Sequence, residues 1–102
     1  EFLTWCCANS ALENWNSWRN LNKDVSISLQ NQNFDTLNFD SANLSNINFV
    51  RSTFKNSLLN DSDLSNANMM SVNMIGAKLQ NSNLHKTIFR GATLMGVDFT
   101  NA

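Results

Sequence analysis

The chain has 102 residues, with seven Lys and Arg against eight Asp and Glu, no proline and a mean hydropathy of −0.29. That length predicts one domain. The balanced charge argues against a nucleic-acid binder, which needs a basic face to neutralise phosphates, and no apolar run is long enough to span a bilayer. Asn (19) and Ser (12) make up nearly a third of the residues, a composition shared with disordered low-complexity sequence.

All three tryptophans, Trp5, Trp15 and Trp18, fall in the first 26 residues. The apolar stretch at the start is short and lacks the basic flank of a signal peptide. Cys6 and Cys7 are adjacent, and neighbours in sequence rarely bridge. With no other cysteine, neither a disulfide framework nor a four-cysteine zinc site can be built. The pair is read as small apolar residues in a reducing cytoplasm. Ser10 followed by Glu13 has the spacing of a capping box. It predicts a helix over residues 11–21 with Ala11, Leu12, Trp15, Trp18 and Leu21 on one face. A short helical or irregular piece carrying Phe2, Leu3 and Trp5 precedes it, and Asn22-Lys23-Asp24 is the joint.

From residue 29 every fifth residue is large and apolar: Leu29, Phe34, Phe39, Leu44, Phe49, Phe54, Leu59, Leu64, Met69, Met74, Leu79, Leu84, Phe89, Leu94 and Phe99. These fifteen centres run without an insertion or a miss. Two residues before each centre lies a second, mostly small set that includes Ala42, Ser52, Ser57, Ser62, Ala67, Ala77 and Ser82. Gln32 and Leu37 break that set and predict an irregular first coil. Asn or Asp usually precedes the centre. Gly76, Gly91 and Gly96, together with several Asn, fall two residues after it, where tight-turn backbone angles are tolerated. Every charged residue after residue 27 avoids both inward positions. A disordered chain has no reason to keep that register.

A period of five suits neither an α-helix nor an extended strand. It suits a short extended stretch, a corner and a repeat. Stacked coils of this kind pair by backbone hydrogen bonds at about 4.8 Å. The absence of proline fits, since each coil must donate N–H groups to its neighbour. Periodicity alone permits three sides per coil as well as four. The pentads Ala42-Asn43-Leu44-Ser45-Asn46, Ala67-Asn68-Met69-Met70-Ser71, Ser82-Asn83-Leu84-His85-Lys86 and Val97-Asp98-Phe99-Thr100-Asn101 resemble the A(D/N)LXX signature of the pentapeptide-repeat family. The resemblance covers residues 27–102. It implies an all-β solenoid, a right-handed quadrilateral β-helix with four pentads per coil and about 3.75 coils.

A solenoid exposes a raw apolar end and unpaired edges. Residues 1–26 are therefore expected to form an N-terminal helical cap that buries Trp5, Leu12, Trp15 and Trp18 on the first coil. The other end carries no such segment. A homodimer stacked through the C-terminal coil, around Phe89, Leu94 and Phe99, is the expectation there.

Candidates for chemistry are few. His85 is the only histidine and faces solvent, without the convergent ligands or base partner that a metal site or a triad needs. Asp61 and Asp63 lie near a corner, where turn capping accounts for them. No phosphate loop, HExxH or Gly-x-Ser-x-Gly motif occurs. Neither an enzyme nor a cofactor site is expected, and neither nucleic acid nor a membrane span. With four sides, residues twenty apart stack. Val50, Met70, Ile75, Ile88 and Met95 then form an outward apolar patch on two adjoining faces, a candidate surface for a protein partner. The expected function is a rigid module presenting flat faces to a protein. The Asn/Ser-rich, N-capped pattern resembles segments of secreted bacterial effectors, which would place the chain in a host cell. The alternative implied by the resemblance is a gyrase-interacting DNA mimic of the quinolone-resistance type. That role needs an acidic rod, whereas the array balances five acidic residues against five basic ones.

Overall fold

The computed structural model describes residues 2–102. Two helices open the chain, α1 (Phe2–Ala8) and α2 (Leu12–Leu21). The repeat follows, and its first two passes pair in parallel as β1 (Ile27–Ser28) and β2 (Ile47–Asn48), with Ile27 opposite Ile47. Beyond these, each side of the coil contributes one residue to the ladder. Asn33 bridges Thr53, Asn38 bridges Leu58, Asn43 bridges Asp63, and the same twenty-residue offset recurs down to Lys78 and Asp98. An offset of twenty is four pentads, so the coil has four sides. The first face carries centres Leu29, Phe49, Met69 and Phe89, and the second Phe34, Phe54, Met74 and Leu94. The third carries Phe39, Leu59, Leu79 and Phe99, and the fourth Leu44, Leu64 and Leu84.

The pentad pattern follows from where backbone groups find partners. A centre N–H donates to the residue nineteen ahead, as Phe34 does to the Thr53 carbonyl at 2.8 Å. The corner N–H does likewise, Thr36 to Lys55 at 2.9 Å, and the residue before the next centre donates back, Thr53 to Gln32 at 2.9 Å. Most corners close with a four-residue turn, such as Ala42 N–H to the Phe39 carbonyl at 2.9 Å, whereas Gln32 N–H donates to Ser52 Oγ at 3.0 Å instead. The third residue of that turn has positive φ, 63° at Ser41 and 59° at Asn46, as a type II turn requires. Hence Asn and Gly recur there.

The N–H just after each centre lies outside this ladder. In nine pentads the Asn or Asp before the centre accepts it, as Asn38 Oδ1 does from Asp40 N–H at 2.9 Å. Where that residue is Thr53, Leu58 or Lys78, the coil before supplies the acceptor instead. Asp35, Asp40 and Asn60 reach the N–H groups of Lys55, Asn60 and Gln80 at 2.8–2.9 Å. The Asx preference before the centre is thus a backbone-satisfaction rule.

Centres fill the axis. Phe34, Phe39, Phe49 and Phe54 pack together with ring centroids 5.0–5.9 Å apart. Serines at the small position are buried yet satisfied. Ser57, Ser62 and Ser82 hydroxyls donate to the carbonyls of Phe54, Leu59 and Leu79 at 2.6–2.8 Å. Toward the ends the axis opens. Leu29, Leu84, Phe89 and Leu94 are half-buried and Phe99 is exposed. Gln32 is exposed as well, in line with the irregular first coil.

The helical segment departs from its expected details. Ser10 does not cap α2. It takes φ 53° and ends α1: Ala11 N–H bonds the Cys6 carbonyl at 2.8 Å and Ser10 N–H the Cys7 carbonyl at 3.5 Å, a Schellman arrangement. The residue at the N-cap of α2 is Ala11, with no side-chain bond. Trp15 is buried and Leu12 half-buried, but Trp5 and Trp18 are 52% and 37% exposed. Leu21 is exposed too. The place expected for an apolar side chain is taken by Arg19, fully buried one turn after Trp15.

Arg19 and its neighbours meet the open edge of the fourth face, where the first coil has no predecessor. Asn43 N–H donates to Asn16 Oδ1 at 2.7 Å, and the Asn43 carbonyl accepts from Trp15 Nε1 at 2.7 Å. The Ser45 carbonyl accepts from Arg19 Nη2 at 3.0 Å, while Nη1 donates to the carbonyls of Asn22 and Val25. In later coils these same positions bond to the preceding coil. Side chains of α2 thus replace a missing strand. Burial lowers the pKa of the guanidinium, and the charge of Asp24 opposes that.

Candidate interaction surface

Groups with chemical potential are dispersed. His85 is exposed on the fourth face, its N–H held by Asn83 Oδ1 at 3.0 Å. Asp63 accepts from Ser65 N–H and Oγ at 2.9 and 2.6 Å, a turn-capping role, while Asp61 sits on a corner at φ 58°. Cys6 is buried. Burial and its neighbour push the Cys7 thiol up to about 12, which keeps it protonated and un-nucleophilic at neutral pH. Thr100 and Gln80 hydrogen-bond to Asp98 and hold its carboxyl down at about 2. Among the described residues no His, Cys, Asp and Glu cluster gathers that could hold a metal ion.

Two surfaces stand out instead. The first is outward and apolar. Because the coil has four sides, Met70 and Ile88 lie on the first face and Ile75 and Met95 on the second, adjoining it. Ile75, Ile88 and Met95 are exposed, Met95 by 73%, and Met70 is half-buried. Val50 does not join them. It is only 7% exposed, in a column between Gln30 and Met70. All three glycines sit on the corners that flank the second face, Gly91 before it and Gly76 and Gly96 after it.

The charges of the array sort by side, which the balanced total concealed. The first and second faces carry Arg51, Lys55 and Arg90 against Asp35 alone. The third and fourth carry Asp40, Asp61, Asp63 and Asp98 against Lys78 and Lys86. The apolar patch therefore has a basic rim, and the opposite sides are acidic.

The second surface is a groove of about 520 Å³ between the helices and the first face, lined by Phe2, Leu3, Trp15, Trp18, Ile27 and Leu29. Phe2 stacks on Trp5 at 6.5 Å and meets Trp15 and Trp18 at 6.0 and 6.4 Å. Sequence reasoning assigned these rings to the buried cap and missed the groove. It also missed Asn16 and Arg19. Their signal is the run of side-chain donors and acceptors on the Trp15 side of a helix otherwise read by its apolar residues.

The pentapeptide-repeat profile, described as Pentapeptide repeats (8 copies), matches residues 38–76, 47–85 and 73–102. These spans cover more than half of the sequence, and the chain belongs to the pentapeptide-repeat family. No curated protein sequence matches it. Among solved structures it is similar to a pentapeptide repeat protein from the thylakoid lumen of Arabidopsis thaliana, at 23% identity over 74% of this chain and 66% of that one, with a TM-score of 0.52. HetL, a pentapeptide repeat protein involved in heterocyst differentiation regulation from the cyanobacterium Nostoc sp., matches at 18% identity over 72% of this chain and 47% of its own, with a TM-score of 0.46. The chain spans less than two thirds of the length of either. The likeness concerns the fold, the right-handed quadrilateral β-helix of this structural family.

Proposed function

We propose that the chain is a non-catalytic protein-binding module. The β-helix of residues 27–102 offers its first and second faces to a protein partner, and residues 1–26 serve as the helical cap of its first coil. The observation that carries this reading is the outward patch of Met70, Ile75, Ile88 and Met95 over two adjoining sides of the scaffold. An apolar patch with a polar rim is the usual signature of a docking site. The dispersal of His85, Cys7, Asp61 and Asp98 over separate parts of the molecule supports a binding role over a catalytic one. The Asn/Ser-rich, helix-led pattern supports a setting within a bacterial effector.

A photo-crosslinking amino acid tests the reading. Placed at Met95 in cells that express the protein, it should capture a discrete partner. Placed at His85, on the side opposite the second face, it should capture none. Ile75→Ser in the Met95 background should reduce the yield while leaving the melting temperature unchanged. Equal capture from both positions would remove the patch as the binding surface.

A further inference from the structure

Two backbone N–H groups in the patch break the satisfaction rule that runs through the array. From Asp35 to Thr100 the N–H after each centre is held by an Asx side chain of its own pentad or of the coil before. Arg90 and Met95 are the exceptions: among the described residues neither N–H has a partner. The cause is in the sequence. Ile88 and Thr93 stand where an Asx would precede the centres Phe89 and Leu94, and Met70 and Ile75 stand where Asp35, Asp40 and Asn60 serve other columns. A further coil stacked on Phe99 would leave both vacancies open, because the acceptor always comes from the same pentad or the preceding coil.

The same few residues thus join three features. Ile88, Ile75 and Met95 present apolar surface, two N–H groups on successive corners have no partner among the described residues, and the exposed Arg90 carries one of them, with Arg51 and Lys55 two coils before it on the same sides. We propose that this face docks an acidic, apolar segment of a partner protein, whose carboxylates accept from the Arg90 and Met95 N–H groups in place of the missing Asx side chains. The inference rests on the protein-binding reading above and adds the chemistry of the partner. A carboxylate fits because the array already uses Asp35 and Asp40 in this way, across coils. Charge-assisted bonds from backbone N–H to carboxylate are the stronger kind. The basic rim favours an anionic partner and speeds its encounter. The apolar side chains supply the contact area that a simple anion site would lack.

The test titrates the intact protein with a short labelled peptide alternating Asp with Leu, and with its Asn-for-Asp counterpart. The acidic peptide should bind, should weaken as salt rises, and should exceed the neutral one by about tenfold or more. The double variant Ile88→Asn, Thr93→Asn restores the family pattern and supplies both N–H groups with internal acceptors. It should fold and melt no lower than the parent, yet lose that preference for the acidic peptide. Equal binding of the two peptides, both weakened by Ile75→Ser, would overturn the carboxylate assignment and leave the protein-binding face standing. Binding of neither peptide would overturn both. Binding of phosphatidylserine vesicles with no binding of the acidic peptide would replace the protein segment with a lipid surface.

Discussion

Gly76 and Gly96 occupy the same corner one coil apart, and both have φ 71°. Their surroundings differ. A Cβ built on Gly76 falls on Asn56 Oδ1, whereas on Gly96 it meets the backbone of Gly76 at 3.7–3.8 Å, an ordinary contact. Gly96→Ala should therefore cost only the left-handed penalty of about 1 kcal/mol, a shift of roughly 4–8 °C for a domain of this size. Gly76→Ala should melt lower still, because the Asn56 amide must also move. If thermal melts of the two variants coincide, the close approach at Asn56 does not exist in solution. At this scale much was legible. Asn and Gly two after the centre announced positive φ, and the structure gives them φ of 57–71°. The Asn before the centre was visible as a preference, but its reason was not. The N–H it serves is the one the ladder leaves out, and that is known only once the ladder is drawn.

At the scale of the element, α2 shows the limit of reading a helix by its apolar residues. Trp15 and Trp18 lie three apart, a spacing that puts both on the face expected to be buried. Trp15 is in fact 3% exposed and its indole N–H bonds the Asn43 carbonyl, while Trp18 turns toward Phe2 at the groove. Trp15→Ala should therefore destabilise by about 3 kcal/mol or more, through a cavity and an orphaned carbonyl. Trp18→Ala should cost about 1 kcal/mol or less. Denaturant midpoints of the two variants check this, and an equal loss would mean that both rings seal the first coil. Arg19 was unreadable from its own neighbourhood. It is buried because it meets carbonyls of residues 22, 25 and 45, and the last of these comes near only after the chain has turned. A buried guanidinium is tolerated where it replaces ladder donors that the first coil lacks.

At the scale of the whole molecule, coil closure puts Arg90 in the column of Met70 and Met95 in that of Ile75 and gathers Arg51, Lys55 and Arg90 on one side. The acidic side that results holds four aspartates and two lysines on a short rod. A gyrase-directed DNA mimic needs a continuous acidic field, and this distribution does not supply one. Supercoiling by gyrase should proceed at the same rate with an excess of the protein present. Strong inhibition at sub-stoichiometric amounts would instead favour the mimic and displace the basic, apolar side as the working face.

The sequence by itself determined the period, the inward and outward assignment of most positions in the array, the corner chemistry and the family. All of these are local, because a pentad's register is set by residues a few positions apart. The tertiary structure decided the number of sides, since the hydrogen bonds that count them join residues nineteen to twenty-one apart. With four sides came the neighbours of each column. Val50 was buried in the column of Gln30 and Met70, and Ile88 on the first face and Met95 at the far end of the second came to flank two N–H groups that have no partner among the described residues. Trp18 was turned out and Arg19 in, because the first coil lacks a predecessor and its edge required donors as well as apolar cover.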